Sequence, residues 1–438
     1  MKKQLKMVAL LLAASLLLSG CSLLTLEELY CPPKRSEDQD NLQNIIDKAM
    51  RNLTYSAPIA GDNQQAVQKA DLDGDGVEEY LLFAKDSSDM PLKILIFCQL
   101  ASGYVLMDTI EGFGFAFESV EYAQMDDKEG LEIVVSRQVS EDLPRSVSVY
   151  RFFSGFSRQL LSVSCNRMLL EDLNGDGISE LLLLSSGESA WGQGALMRYD
   201  YDADSKMLYR DSVVNVPHAA STARRMEMGV LQDGTQAIFL SSAAEDSQLV
   251  VDVFVLENDQ LVNMSDGIRI PTIYNYPVFP ADIDSDGVME LAEAIPLQKY
   301  PDGGREQYIL RWYSLDTRAN RTDKSETYHQ FAQGWYLNLA DGWSESLAVQ
   351  QTEEYCMFYM RNAETGVLDA VFMITALTDS DREEQAEQSG GIVLYRGESV
   401  IYVAKLQKQA MRHRITAQQI KDRFCYIRME INNNESGE

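Results

Sequence analysis

Apolar residues in DNLQNIIDKAMRNL return every three to four positions, the spacing of one helix face, so a single short helix is predicted ahead of residue 54. Beyond it the pattern changes. Runs such as EYLLFAK, LKILIFCQ, LEIVVSRQ, SVSVYRFF, SELLLLSS, ALMRYDYD, QAIFLSS, LVVDVFVLE and QYILRWYSLD are of strand length and rich in Val, Ile, Leu, Phe and Tyr. Gly, Asp, Asn and Ser punctuate them, which predicts a mainly β body. From about Gln330 the texture shifts again. GWYLNLADGWSESLAV, EYCMFYM, LDAVFMITALT, GIVLYRG and SVIYVAKL read as strands, and DSDREEQAEQ and ITAQQIKDRF as helices. Residues 330–438 are therefore expected to form a C-terminal α+β domain, the competing reading being one or two further units of the preceding β body.

An acidic turn recurs within that body: DLDGDGVEE from Asp71, DLNGDGISE from Asp172 and DIDSDGVME from Asp282. The separations are close to two periods of about 50 residues, the length of one propeller blade of four short strands. Intermediate copies occur at AQMDDKEGLEIVV and GVLQDGTQAIFL, near Asp126 and Asp233, where the turn persists but most oxygen ligands are gone. Residues 54–329 are thus expected to hold about five units, with six or seven if the C-terminal part contributes. A single unit leaves apolar surface bare, and arranging several around an axis covers it and leaves only short edges.

A hard divalent cation takes six to eight oxygens at roughly 2.4 Å, and alternate residues of a tight loop turn inward together. Counting the first Asp as position one, the oxygen-bearing set is positions one, three and five, the carbonyl of seven and the carboxylate of nine, with Gly at six permitting the sharp turn. In the first loop these are Asp71, Asp73, Asp75, the Val77 carbonyl and Glu79. In the second full copy they are Asp172, Asn174, Asp176, the Ile178 carbonyl and Glu180, and in the third Asp282, Asp284, Asp286, the Val288 carbonyl and Glu290. Asn174 removes one charge and marks the middle copy as the weakest. An EF-hand would place a bidentate Glu at position twelve between helices, whereas Leu82 and Leu183 stand there in the first two loops and strand-like runs follow all three. The loops instead resemble those of integrin-α-type and VCBS-type β-propellers, the FG-GAP repeats. That resemblance implies a β-propeller in which Ca²⁺ pins a hairpin within a blade; the Phe-Gly and Gly-Ala-Pro landmarks of the family are largely missing, with Phe113 and Gly114 alone matching the first.

The chain opens with MKKQLKMVALLLAASLLLSGC, a positive stretch and then an apolar run too short to span a bilayer comfortably, which predicts an export signal over residues 1–20. Leu18, Ser19, Gly20 and Cys21 resemble the lipobox of bacterial lipoproteins, which implies lipidation of Cys21 and a membrane-anchored, extracytoplasmic protein with residues 21–53 as tether and helix. With 38 Lys and Arg against 67 Asp and Glu, the net charge of −29 argues against nucleic acid and suits cations. Catalytic motifs are thin: His218, His329 and His413 lie far apart, and GESAW around Ser189 lacks the second glycine of a nucleophile elbow. The expected function is a binding or scaffold module whose partner is an envelope protein or a glycan. The alternatives are an extracellular carbohydrate-active enzyme on a propeller frame and a solute-binding lipoprotein.

Overall fold

Six antiparallel sheets follow one another along the chain in the computed structural model, which describes residues 37–427 apart from 127, 141–142, 187–192, 203, 245–247, 266–267, 272–277 and 301–305. Cys21, the expected signal segment and the tether before residue 37 lie outside the described residues. Sheet one comprises Thr54–Tyr55, Val67–Ala70, Glu79–Lys85, Leu92–Leu100 and Gly103–Gly112, and sheet two Ala116–Ala123, Glu132–Gln138, Arg145–Phe153 and Phe156–Cys165. Sheet three contains Arg167–Glu171, Glu180–Ser186, Gly194–Asp202 and Met207–Val216. Sheet four contains Ala223–Val230, Gln236–Ala243, Gln248–Glu257 and Gln260–Asn263, with Ile268–Pro271 added beside its third strand. Sheet five is built from Leu291–Pro296, Tyr308–Leu315, Arg321–Gln330, Trp335–Asn338 and Phe424–Tyr426, and sheet six from Leu347–Gln351, Tyr355–Arg361, Leu368–Leu377, Ile401–Leu406 and Ile392–Arg396. The protein is mainly β and none of these sheets closes on itself.

The continuous apolar runs are explained by burial on both faces. In sheet three, Leu181 and Leu183 pack with Val134, Val147 and Val149 of sheet two. Leu182 and Leu184, pointing the other way because successive strand side chains alternate, pack with Ile238, Leu240 and Phe254 of sheet four. All four leucines are completely buried, each contributing about 1.5–3 kcal/mol. The same face-to-face packing joins sheet one to two, four to five and five to six. At the ends helices take over: Leu42 and Ile46 of the helix Glu37–Ala49 cover Leu82, Ala84, Leu95 and Phe97 of sheet one. Ala386 of the helix Arg382–Gln388 packs on Ile401 and Val403 of sheet six. Among the described residues no core cluster joins sheet one to sheet six.

The boundary expected near Gln330 runs through sheet five instead. Arg321–Gln330 pairs with Trp335–Asn338, which pairs in turn with Phe424–Tyr426, a strand from the far end of the described chain. Tyr328, Trp335 and Leu337 then share one core with Phe358 and Phe372 of sheet six, so packing carries across the change in texture. The helices expected in this region are Arg382–Gln388 and Ala417–Arg423, the latter started by a capping box between Thr416 and Gln419.

His329, near the end of that third strand, is half-buried between Phe331 and Tyr336, with ring centroids 5.1 and 4.9 Å away, and its Nε2 lies 2.9 Å from Thr327 Oγ1. Burial pulls its pKa down to about 3, so it is neutral in the fold. The unfolded chain takes up a proton below about pH 6.5, and the folded one does not. Stability from this site is therefore complete above that pH and is lost as pH falls from about 6.5 toward 3, at up to about 1.4 kcal/mol per pH unit. Denaturant midpoints measured from pH 7 to 4 are expected to fall less steeply for His329→Phe than for the wild type, and equal slopes would count against this assignment.

Candidate metal centres

Each full acidic loop is a hairpin turn in an odd-numbered sheet: between Val67–Ala70 and Glu79–Lys85 in sheet one, between Arg167–Glu171 and Glu180–Ser186 in sheet three, and just before Leu291–Pro296 in sheet five. Ala70 pairs with Glu79, Glu171 with Glu180 and Ala281 with Glu290, so the position-nine glutamate stands where the chain leaves the turn and reaches back beneath it. There one carboxylate oxygen accepts the N–H of the second loop residue: Leu72 to Glu79 at 2.9 Å, Leu173 to Glu180 at 2.8 Å and Ile283 to Glu290 at 3.1 Å. The first aspartate organises the turn from the other side. Asp71 accepts from Gly74 and Gly76 at 2.8 and 3.0 Å, Asp172 from Gly175 and Gly177 at 2.7 and 2.8 Å, and Asp282 from Asp286 and Gly287 at 3.0 and 2.9 Å. Position six has φ of 85, 88 and 85° at Gly76, Gly177 and Gly287, a region where a Cβ is costly. Position four is also left-handed, at Gly74, Gly175 and, with a side chain to accommodate, Ser285 at 63°.

The structure gathers two of the three ligand sets. Carboxylate oxygens of Asp71, Asp73 and Glu79 lie within 4.8 Å of one another, as do those of Asp282, Asp284 and Glu290, and each trio can hold a metal ion. Glu79 is 3% exposed and Glu290 fully buried, and burial, reinforced by the neighbouring aspartates, pushes both up to about 7. Oxygen Oε1 of Glu290 is buried with no hydrogen-bond partner among the described residues. An all-oxygen set of this kind fits a hard cation. Asp75 and Asp286 stand outside these trios: Asp75 Oδ1 accepts the Val77 N–H at 2.8 Å, and Asp286 accepts the Val288 N–H at 2.9 Å and pairs with Lys324 at 2.5 Å. In the middle loop Asn174 takes the place of Asp73 and Asp284, and Asp172, Asp176 and Glu180 do not form such a trio. Asn174 Nδ2 donates to Asp176 at 2.9 Å, Asp176 Oδ1 accepts the Ile178 N–H at 2.8 Å, and Arg198 Nη1 stands 3.9 Å from Glu180 Oε1.

The intermediate hairpins differ from each other. In sheet two Ala123 pairs with Glu132, and Met125 N–H donates to Glu132 Oε2 at 2.9 Å, the same contact as in the full loops. Glu132 was not among the expected ligands; its signal was the Glu at position nine counted from Gln124. Arg151 pairs with both Asp126 and Glu132 there. In sheet four the turn is shorter, and Asp233 instead holds Thr317 of sheet five's hairpin, accepting from its N–H at 3.0 Å and its hydroxyl at 2.7 Å.

His329 sits in its aromatic stack, and His413 lies 3.1 Å from Asp369. A groove of about 420 Å³ beside sheet five is lined by charges of both signs, among them Arg311, Asp323, Lys324, Glu326, Asp341 and Glu345. Among the described residues no helix is long and apolar enough to cross a membrane.

No family model matches the chain, and no curated protein does. Solved structures resemble it distantly. An exotype rhamnogalacturonan lyase, YesX, is 14% identical with a TM-score of 0.29 over 73% of this chain, which spans 65% of that enzyme's length. Sqt1 of Saccharomyces cerevisiae is 10% identical with a TM-score of 0.33, covering 78% of this chain and 98% of its own. The Bacillus licheniformis rhamnogalacturonan lyase PL11 is 11% identical with a TM-score of 0.29, covering 73% and 72%. Superpositions this shallow carry no functional weight.

Proposed function

We propose that the chain is a lipid-anchored, extracytoplasmic binding or scaffold protein whose six sheets are blades of a β-propeller, stiffened by calcium at the hairpins of sheets one and five. The reading is supported by sheets that pack face to face in chain order and by acidic hairpins at one place in alternate sheets. The observation that carries it is the pair of carboxylate trios, above all Glu290, a buried carboxylate oxygen with no hydrogen-bond partner among the described residues, aimed among two aspartates. Burying a bare carboxylate is costly, and a divalent ion removes both the orphaned oxygen and the mutual repulsion. Calcium suits it better than magnesium, because a hairpin of varied oxygens tolerates irregular geometry and Mg²⁺ demands an octahedron. The metal's role is mechanical: it fastens together the two arms of an acidic hairpin. The anchor is Cys21, and the partner an envelope protein or glycan met by the loops.

Extracellular sites of this class bind at about 0.1–1 mM. The full chain is expected to melt at a higher temperature in about 5 mM calcium than in chelator. Equilibrium dialysis should count about two ions bound in common strength, with a weaker third at Asp172. Identical melting curves in both buffers would remove the metal from this proposal. A glycan and envelope-protein binding screen, run with and without chelator, identifies the partner.

A further inference from the structure

We propose that Arg151 is the built-in cation of the second hairpin, and that the residue facing the position-nine glutamate across the sheet decides whether a hairpin takes up a metal ion. The inference rests on the metal reading above and extends it to a hairpin outside that reading.

The register defines the facing residue. Tyr80 pairs with Phe97, Ile133 with Tyr150 and Leu291 with Tyr313, so one residue further along Glu79 faces Cys98, Glu132 faces Arg151 and Glu290 faces Ser314. Where three carboxylates converge, the facing side chain is therefore small and uncharged. In sheet two it is a guanidinium. Arg151 Nη1 pairs with Asp126 Oδ2 and, at 3.2 Å, with Glu132 Oε1, and Nη2 lies 3.4 Å from the Glu129 carbonyl. It thus collects carboxylates from positions three and nine and a carbonyl from the loop, the kinds of oxygen a metal ion would collect. The side chains of Asp126 and Glu132 are each 1% exposed, which makes a nearby positive charge necessary.

The loop itself has changed to match. Gln124 replaces the aspartate of position one and donates to the Asp126 carbonyl at 2.6 Å, and Lys128 replaces that of position five with its ammonium 3.5 Å from Asp126. Two acceptors have become donors, and an ammonium plus a guanidinium bring the charge of a divalent ion. A planar fork with several donors satisfies two carboxylates at once, so Arg suits the place better than a second Lys. In sheet three Leu181 pairs with Tyr199, so Glu180 faces Asp200, which brings no cation, and Arg198, two residues away on that strand, stands 3.9 Å from Glu180 outside its hydrogen-bonding range.

The test uses the full chain and reads bound calcium by equilibrium dialysis and melting temperature in chelator. Cys98→Arg is expected to lose one bound ion relative to the wild type. The triple variant Gln124→Asp, Lys128→Asp, Arg151→Ser is expected to gain one and to melt in a calcium-dependent way. In chelator, Arg151→Ser alone should lower the melting temperature by several degrees, which Ser314→Ala should not. Arg151→Lys, which keeps a charge, should fold and bind no additional ion even if Arg151→Ser does not fold. A Cys98→Arg protein that folds and keeps the wild-type count, or an Arg151→Ser protein that melts like the wild type in chelator, would overturn the proposal. A wild type that binds no calcium would end the metal reading, yet the chelator arm would still report on Arg151.

Discussion

Arg198→Met is expected to destabilise the protein by about 3–5 kcal/mol, seen as a fall in the urea midpoint of unfolding. Arg198 is 2% exposed, and its guanidinium holds Asp211 of the neighbouring strand through both Nε, at 3.1 Å, and Nη2. It also donates to the Asp259 side chain at 2.8 Å and the Asp259 carbonyl at 3.0 Å, in the turn of sheet four, and stands beside Glu180. Methionine fills similar space but leaves Asp211 and Glu180, 17% and 8% exposed, without their cation. The cost is that of stranded charge, not of lost attraction alone. Asp259, whose side chain is 70% exposed, supplies the internal control, because an ion pair in solvent contributes less than about 1 kcal/mol. Asp259→Ala should therefore move the midpoint little. Equal effects of the two substitutions would mean that Arg198 acts by bridging sheets and not by neutralising buried carboxylates.

The same contrast explains what was legible in the chain. The acidic turns could be read because their chemistry is local: Asp71 to Glu79 close on themselves, and glycine at position six announces the bend. The strands were legible because burial on both faces leaves uninterrupted apolar runs, ELLLL being the plainest. Arg151 and Arg198 were not, since each sits in the third strand of its sheet and meets its carboxylates only once the register is set. Nor does anything near Phe424 say that it will pair with Leu337, a contact between strands far apart in sequence. The change of texture at Gln330 therefore looked like a domain boundary although the pairing runs across it. Equal motifs also concealed unequal sites: Asn174 signalled a weaker loop, but that Arg198 stands next to Glu180 is a fact of packing.

Glu290→Gln is expected to change sign with calcium. In chelator at about pH 8, above the pKa of about 7 imposed chiefly by burial, wild-type Glu290 is ionised, fully buried and short of a partner for Oε1. Its folded pKa is raised above the ordinary carboxylate value, so the ionised form opposes folding at this pH, and the penalty shrinks as pH falls from about 7 toward 4.5. Glutamine keeps an oxygen for the Ile283 N–H, carries no charge, and offers its amide N–H groups to the nearby Asp282 and Asp284. The variant should accordingly equal or exceed the wild type by about 1–3 kcal/mol in chelator. With calcium at some hundred times its dissociation constant the order reverses, because the wild type gains about 2.7 kcal/mol at this site and the variant has lost the carboxylate that makes the gain. Urea midpoints in the four combinations of protein and buffer give the crossing directly. A variant that is less stable in both buffers would show that Glu290 serves packing alone, and that the trio in sheet five does not exist to hold an ion.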